Sequence, residues 1–325
     1  MHRASKMTHT RALFGIAVLA VPLLWAVASG AQHPADPLAA ERAALANGNL
    51  TDASDGLRAY LKAHPDSADA HFLLGYALFR EKKALESLAE FTAGARTRRP
   101  KADELMTVAS DYVMLGDFAD ADKWFTEVTV EAPNNPDAWY LLGRTKYNEN
   151  AFAVAQSSFE RALALRPKYI EAENNLGLVL RELNEQAKAK EAFQTAIAWQ
   201  GDGAKDPQPF LNLGSMLADE RNFTEAMPYL EKATTLAPGN PKVHEEMAQV
   251  YEAQKNLPQA QAELEQAVAL SPETSGLHFK LGQIYRREGN RERAQQEFDL
   301  CEKLNSTHSS SATPNLPKPP PSPKQ

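Results

Sequence analysis

The chain has 325 residues, 43% of them apolar, which is enough to bury one or two cores of ordinary size. Its 35 basic and 42 acidic side chains leave a net charge of −7, without the basic footprint that nucleic acid or an anionic membrane surface would require. A single cysteine, Cys301, excludes an internal disulfide, so packing must hold the fold, and Cys301 itself is expected to be a small buried apolar residue.

At the N-terminus Arg3, Lys6 and Arg11 precede an uncharged apolar run from Ala12 to Ala28, and Ser29, Gly30 and Ala31 follow. That is the three-part layout of a secretory signal. The small residues allow a cut after Ala28 or after Ala31; taking the second makes 1–31 a signal peptide and the protein periplasmic or secreted. The alternative is an uncleaved inner-membrane anchor, because a run of about 17 residues is at the lower limit for spanning a bilayer. Cleavage removes three basic side chains and no acidic one, which takes the net charge to about −10 and leaves no membrane-binding element.

From there on the chain repeats itself every 34 residues. A degenerate first unit keeps Ala53, Leu57 and Pro65, and a second begins at Ala68 with Leu74, Gly75, Leu78, Ser87 and Phe91. The unit from Ala102 has Leu105, Val108, Ala109, Tyr112, Ala121 and Phe125. The unit from Pro136 carries Trp139, Leu142, Gly143, Ala155, Phe159, Ala162 and Pro167 at positions 4, 7, 8, 20, 24, 27 and 32. The unit from Ile170 repeats the pattern with Leu176, Gly177, Ala189, Phe193 and Ala196. Three extra residues around Gly201, Asp202 and Gly203 then break the period. It resumes at Pro207 with Leu213, Gly214, Ala226, Leu230 and Ala233, again at Pro241, and at Ser275 with Leu281, Gly282, Tyr285, Ala294, Phe298 and Cys301. Small residues at positions 8 and 20 let two helices approach closely, large ones at 7, 11 and 24 fill the space around that contact, and the proline near 32 ends the second helix. Residues 306–325 are Pro-rich and almost without apolar content, so they are expected to be an extended or disordered tail.

Across roughly 37–304 this pattern resembles the tetratricopeptide repeat family, with Lys146 and Gly201 as departures from its preferences. The resemblance implies an all-α, right-handed superhelical solenoid of about seven to eight helix hairpins. It also implies that positions 2, 5, 6, 9, 12 and 13 of each first helix line an inner binding face. On that face Phe72, Tyr76, Phe79 and Met106 form an apolar group, which serves either as a groove for a partner segment or as packing against the first unit. Asn175 and Asn212 both fall at position 6 of adjacent units. They look like two rungs of the asparagine ladder with which the repeats of O-linked N-acetylglucosamine transferases hold an extended peptide; the alternative is a pair of solvated polar residues. An amide offers a donor and an acceptor to any peptide backbone, and replacing both by alanine is expected to change stability by no more than about 1 kcal/mol.

There is no Gly-rich phosphate loop and no paired histidine at helical spacing, and no residue is assigned to catalysis, to a metal or to a cofactor. His71, His244 and His278 all stand at position 4, where a large side chain packs between helices, and Glu245, Glu246 and Glu252 read as a solvated face. The repeats occupy nearly the whole mature chain. The expected function is therefore a non-catalytic scaffold that binds other proteins or peptides, with a membrane-anchored assembly subunit for envelope or cytochrome maturation as the alternative. No further helix follows the last unit, so Phe298 and Leu304 are expected to stay open and to favour a weak homodimer.

Overall fold

The computed structural model describes residues 36 to 308, with side chains to 306. The expected signal peptide and most of the Pro-rich tail lie outside the described residues. Within them the secondary structure is helical throughout, without a strand, and the helices follow one another as consecutive hairpins. The chain divides after Thr107 into two compact bodies. The first holds the hairpins α1 (Ala39–Ala46) with α2 (Leu50–Ala63) and α3 (Ala68–Arg80) with α4 (Ala84–Ala95), then the opening of α5 (Ala102–Met114). The second holds the rest of α5 and α6 (Phe118–Glu131), followed by α7 (Pro136–Asn148) with α8 (Phe152–Leu165) and α9 (Ile170–Glu182) with α10 (Gln186–Gln200). It ends with α11 (Gln208–Asp219) and α12 (Phe223–Leu236), α13 (Pro241–Ala253) and α14 (Leu257–Leu270), and α15 (Ser275–Arg287) and α16 (Arg291–His308). The helix α16 reaches three residues into the segment expected to be extended, since the first proline of that segment is Pro314.

Local chemistry starts and stops these helices. Pro136 and Pro241 occupy the first turns of α7 and α13, where no backbone donor is missed, and Asn135 and Asn240 cap those helices through Oδ1, which accepts from the N–H of Asp137 and Lys242 at 3.0 Å. Between the two helices of each hairpin the chain turns through one left-handed residue at position 15: Gly48, Lys82, Gly116, Asn150, Asn184, Arg221, Lys255 and Gly289. The next N–H closes the turn onto the carbonyl at position 11, as from Ala151 to Lys146 at 2.8 Å and from Asn222 to Leu217 at 2.8 Å. This 6→1 bond satisfies a carbonyl that the helix end would leave unpaired.

The core repeats with the same regularity. A Cβ on Gly143 would lie 2.7 Å from the Phe159 ring, one on Gly177 2.6 Å from Phe193 and one on Gly214 2.7 Å from Leu230. Glycine at position 8 is thus the space that the residue at position 24 fills. Towards the next unit, Phe159 and Ala162 pack with Ala172 and Val179 of α9, and Leu230 and Ala233 with Val243 and Val250 of α13. Each fully buried side chain of this size contributes on the order of 1.5–3 kcal/mol.

The two departures from the family pattern have structural answers. Lys146, at position 11, keeps its charge in a half-buried setting because Asp122 lies 2.7 Å and Glu149 3.1 Å from Nζ. Gly201 has φ +61° and opens a short 3-10 turn, Gly201–Gly203, that absorbs the extra residues. Gln200 ties that loop shut: its Oε1 accepts from the N–H of Lys205 and Asp206, and its Nε2 donates to the Asp206 carbonyl.

In the second body the first helices touch directly, α7 with α9, α9 with α11 and α11 with α13, while neighbouring second helices make no contact of that extent among the described residues. The first helices therefore form the inner, more closely packed side of that stack, and the face they present is where the site is sought.

Candidate functional site

Asn175 and Asn212 both lie half-buried on first helices, on α9 and α11. Asn175 Nδ2 donates to the Glu171 carbonyl one turn back at 2.6 Å and points to Tyr140 Oη at 3.5 Å. Asn212 Nδ2 donates across the helix pair to Oδ1 of Asn174 at 2.9 Å, and Asn174 is buried. The two expected rungs are thus held in place by one donor each, and neither Oδ1 accepts a bond among the described residues. The sequence reading missed Asn174 and Tyr140. Both stand at position 5, and the signal was in view: three asparagines and a tyrosine at positions 5 and 6 of consecutive units.

Below this group α7 is fixed to the chain that leads into α9. Arg166 donates through both terminal nitrogens to Asp137 at 2.7 Å, and Tyr169 Oη donates to the same carboxylate at 2.8 Å. Burial first, and then that bond, push the Tyr169 phenol far above its ordinary pKa, so it remains a neutral donor. The guanidinium of Arg166 lies 4.4 Å over the Tyr169 ring, and Tyr169 in turn packs 5.0 Å from Tyr140. These contacts tie the residues beneath Asn175 to one another.

Towards α13 and α15 the face becomes charged. Lys242 lies 2.9 Å from both Glu245 and Glu246, Lys280 pairs with Glu245, and Arg287 pairs with Glu252. Burial pushes the Glu245 carboxyl up, but Lys242 and Lys280 outweigh it and leave it below its ordinary value. Arg181 of α9 lies 3.6 Å from Asp219 of α11, whose carboxyl burial raises against that charge. These glutamates are neutralised by neighbouring cations, and no group of three or more acidic, histidine or cysteine side chains among the described residues has metal-site geometry.

In the first body the apolar group separates. Phe72 is buried, 3% exposed, with its ring filling the space over Gly94, stacked 5.7 Å from Phe91 and covered by Arg98 at 4.5 Å. Met106 is buried as well, at 7%. Neither has a face to offer a partner, which corrects the expectation of a groove at those two positions. Tyr76 packs against Leu45 and Ala53 of the first hairpin, as the packing alternative required, and Arg80 donates to its Oη at 3.3 Å. Phe79 stays half-exposed beside it, 6.4 Å from the Tyr76 ring.

The three histidines at position 4 do more than pack. In His71, His244 and His278, Nδ1 lies 2.6–2.7 Å from the glutamate nineteen residues on, Glu90, Glu263 or Glu297. In His71 and His278, Nε2 meets the carbonyl of the preceding Pro65 or Pro272 at 2.9 and 2.8 Å; His244 reaches Pro238 at 3.5 Å. Trp139 holds the same position and donates Nε1 to the Pro133 carbonyl at 2.9 Å. Position 4 is therefore a clip to the previous loop. His278→Ala, which strands both Glu297 and the Pro272 carbonyl, is expected to cost about 1.5–3 kcal/mol, and His278→Trp to cost less than half of that because indole keeps the carbonyl bond. Urea titration of the two variants checks the order.

Models of the tetratricopeptide repeat match residues 38–103, 143–208 and 246–302, and a second model of the same repeat matches 217–270. The chain belongs to the tetratricopeptide repeat family. Among solved structures, a tetratricopeptide repeat protein from Parabacteroides merdae superposes with a TM-score of 0.62 at 17% identity, over 81% of this chain and 96% of that one. The type IV pilus biogenesis factor PilW does so with 0.56 at 21%, over 65% and 94%. Likeness at that identity concerns the fold. Curated relatives include the protein O-mannosyl-transferase TMTC1 of Mus musculus, 26% identical over 157 residues, and protein FlbA of Caulobacter vibrioides, 27% identical over 135. Those matches take in 47% and 41% of this tetratricopeptide repeat chain but only 16% and 22% of the relatives' own length.

Proposed function

We propose that this tetratricopeptide repeat protein is a non-catalytic scaffold that holds extended segments of other proteins against the first helices of its second body. The observation that carries the reading is the pair of oriented amides on adjacent helices, Asn175 and Asn212, each with Oδ1 open to accept from a peptide N–H. Stacked units advance by on the order of 10 Å, which is about three residues of extended chain at roughly 3.3 Å each. One backbone N–H would thus meet each rung whatever side chains the partner carries, and the mixed charges of α13 and α15 would read the side chains beyond. Nearly all the described residues are spent on hairpins, which supports binding rather than turnover. The transferase relatives are matched over a small part of their length, and their activity is not carried over. The N-terminal layout of Arg3, Lys6, Arg11 and the apolar run supports export with a cut after Ala31; N-terminal sequencing of the native protein tests that. No helix among the described residues is long and apolar enough to cross a membrane.

The structure changes the choice of test variant. Asn212→Ala leaves Oδ1 of buried Asn174 without its donor, at a cost of about 1–3 kcal/mol, more than the sequence suggested. Asn175→Ala loses a bond to its own helix and a long one to Tyr140 Oη, and should shift stability by about 1 kcal/mol or less. Peptides selected from a random displayed library on the wild-type chain are expected to bind Asn175→Ala roughly tenfold more weakly, the loss of about 1.4 kcal/mol. Equal affinity for the folded variant would remove Asn175 from the site.

A further inference from the structure

The last hairpin ends on a surface that every inner hairpin of the second body covers. At position 24 Phe125, Phe159, Phe193, Leu230 and Leu264 are buried, yet Phe298 at that position is half-buried. At position 27 Ala162, Ala196, Ala233 and Ala267 are buried, whereas Cys301 is only half-buried, which corrects the expectation of a buried thiol. At position 5 Tyr140 is buried under Tyr169, while its counterpart Phe279, with the same ring-to-ring packing on Phe298 at 5.7 Å, is 47% exposed. In the inner units a first helix of the next unit lies over these positions, as α9 does over Phe159 and Ala162. Here they form an open groove rimmed by Arg286 of α15 and Glu302 of α16.

We propose that a second copy of this chain covers that groove, with α16 of each copy lying across α16 of the other about a two-fold axis. Three features point to self-association. The helix α16 runs for 18 residues, against 12 to 15 for α2, α4, α6, α8, α10, α12 and α14, so it projects an extra turn from the stack. Its open side alternates a large residue, Phe298, with a small one, Cys301, so the same surface supplies knob and hole, as an isologous contact demands. The rim carries one cation and one anion, and neither has an ion-pair partner among the described residues: Arg286 only overlies the Phe298 ring, and Glu302 makes no bond. A two-fold axis through the groove sets Arg286 of each copy against Glu302 of the other, two pairs from one rim.

Analytical ultracentrifugation of the full chain freed of residues 1–31 tests this directly. A reversible dimer with Kd on the order of 10–100 µM is expected, in keeping with a small, weakly apolar contact. Glu302→Arg sets like charges together and should weaken it tenfold or more, whereas the exchanged pair Arg286→Glu with Glu302→Arg restores it. Mild oxidation should link the copies through Cys301, and less so in Glu302→Arg. A chain that stays monomeric through that concentration range, or a dimer indifferent to Glu302→Arg, would overturn the proposal; in the first case the groove awaits a different partner.

Discussion

Phe159→Ala is expected to lower the unfolding free energy by about 3–5 kcal/mol, the range for removing an aromatic ring from a packed interior. Phe159 is fully buried, and its ring occupies the place where a Cβ of Gly143 would be. Around it stand Ala155 and Ala162 of α8 and Ala172 and Val179 of α9, small residues that let the two helices approach closely. The leucines bordering this cluster, Leu141, Leu163, Leu176 and Leu183, are expected to relax into the vacated volume only in part, so the cost combines lost burial with a residual cavity. Because each unit is covered by its neighbour, the break spreads to the junction of α8 with α9, and helical signal in urea should fall in two steps. A loss below about 1 kcal/mol would mean that position 24 is not the centre of the hairpin.

The second large effect separates two aromatic residues that stand seven apart on α3. Phe72→Ala should cost about 3–5 kcal/mol, since the ring fills the gap above Gly94, stacks on Phe91 and carries the Arg98 guanidinium, which is itself bonded to Asp69 and Glu104. Phe79→Ala should cost roughly 1 kcal/mol, as the side chain is only partly enclosed. Thermal melting of both variants under one buffer is sufficient. If Phe79→Ala proves as costly as Phe72→Ala, the ring at 79 is core, and the first body keeps no aromatic face for a partner.

Which parts were legible follows from how each residue acts. The glycine–aromatic pairs at positions 8 and 24 recur often enough that spacing alone announced the contact, and the structure places Gly143 on Phe159 and Gly177 on Phe193 accordingly. Phe72 stayed open between groove and packing in the sequence because position 5 borders both the inner face and the hairpin interior. The deciding feature is Gly94 at position 27, which opens a ring-sized gap where four later units have alanine. The histidine clips were visible as a nineteen-residue spacing, 71 to 90, 244 to 263 and 278 to 297, but a histidine in an apolar pattern looks like packing until its glutamate is noticed. The pairing of Asn212 with Asn174 lay beyond spacing, because the extra residues of the loop at Gly201–Gly203 fall between the two units and interrupt the period that would give the register.

The claim that the first helices of the second body hold a peptide backbone is tested most directly by the side-chain amide resonances of Asn175 and Asn212, followed while a selected library peptide is titrated in. Movement of both resonances in step with saturation, with little change on α8, α10 and α12, is the predicted result. Resonances of Asn175 and Asn212 that stay in place while those second helices respond would put the partner on the other side of the stack and contradict the account.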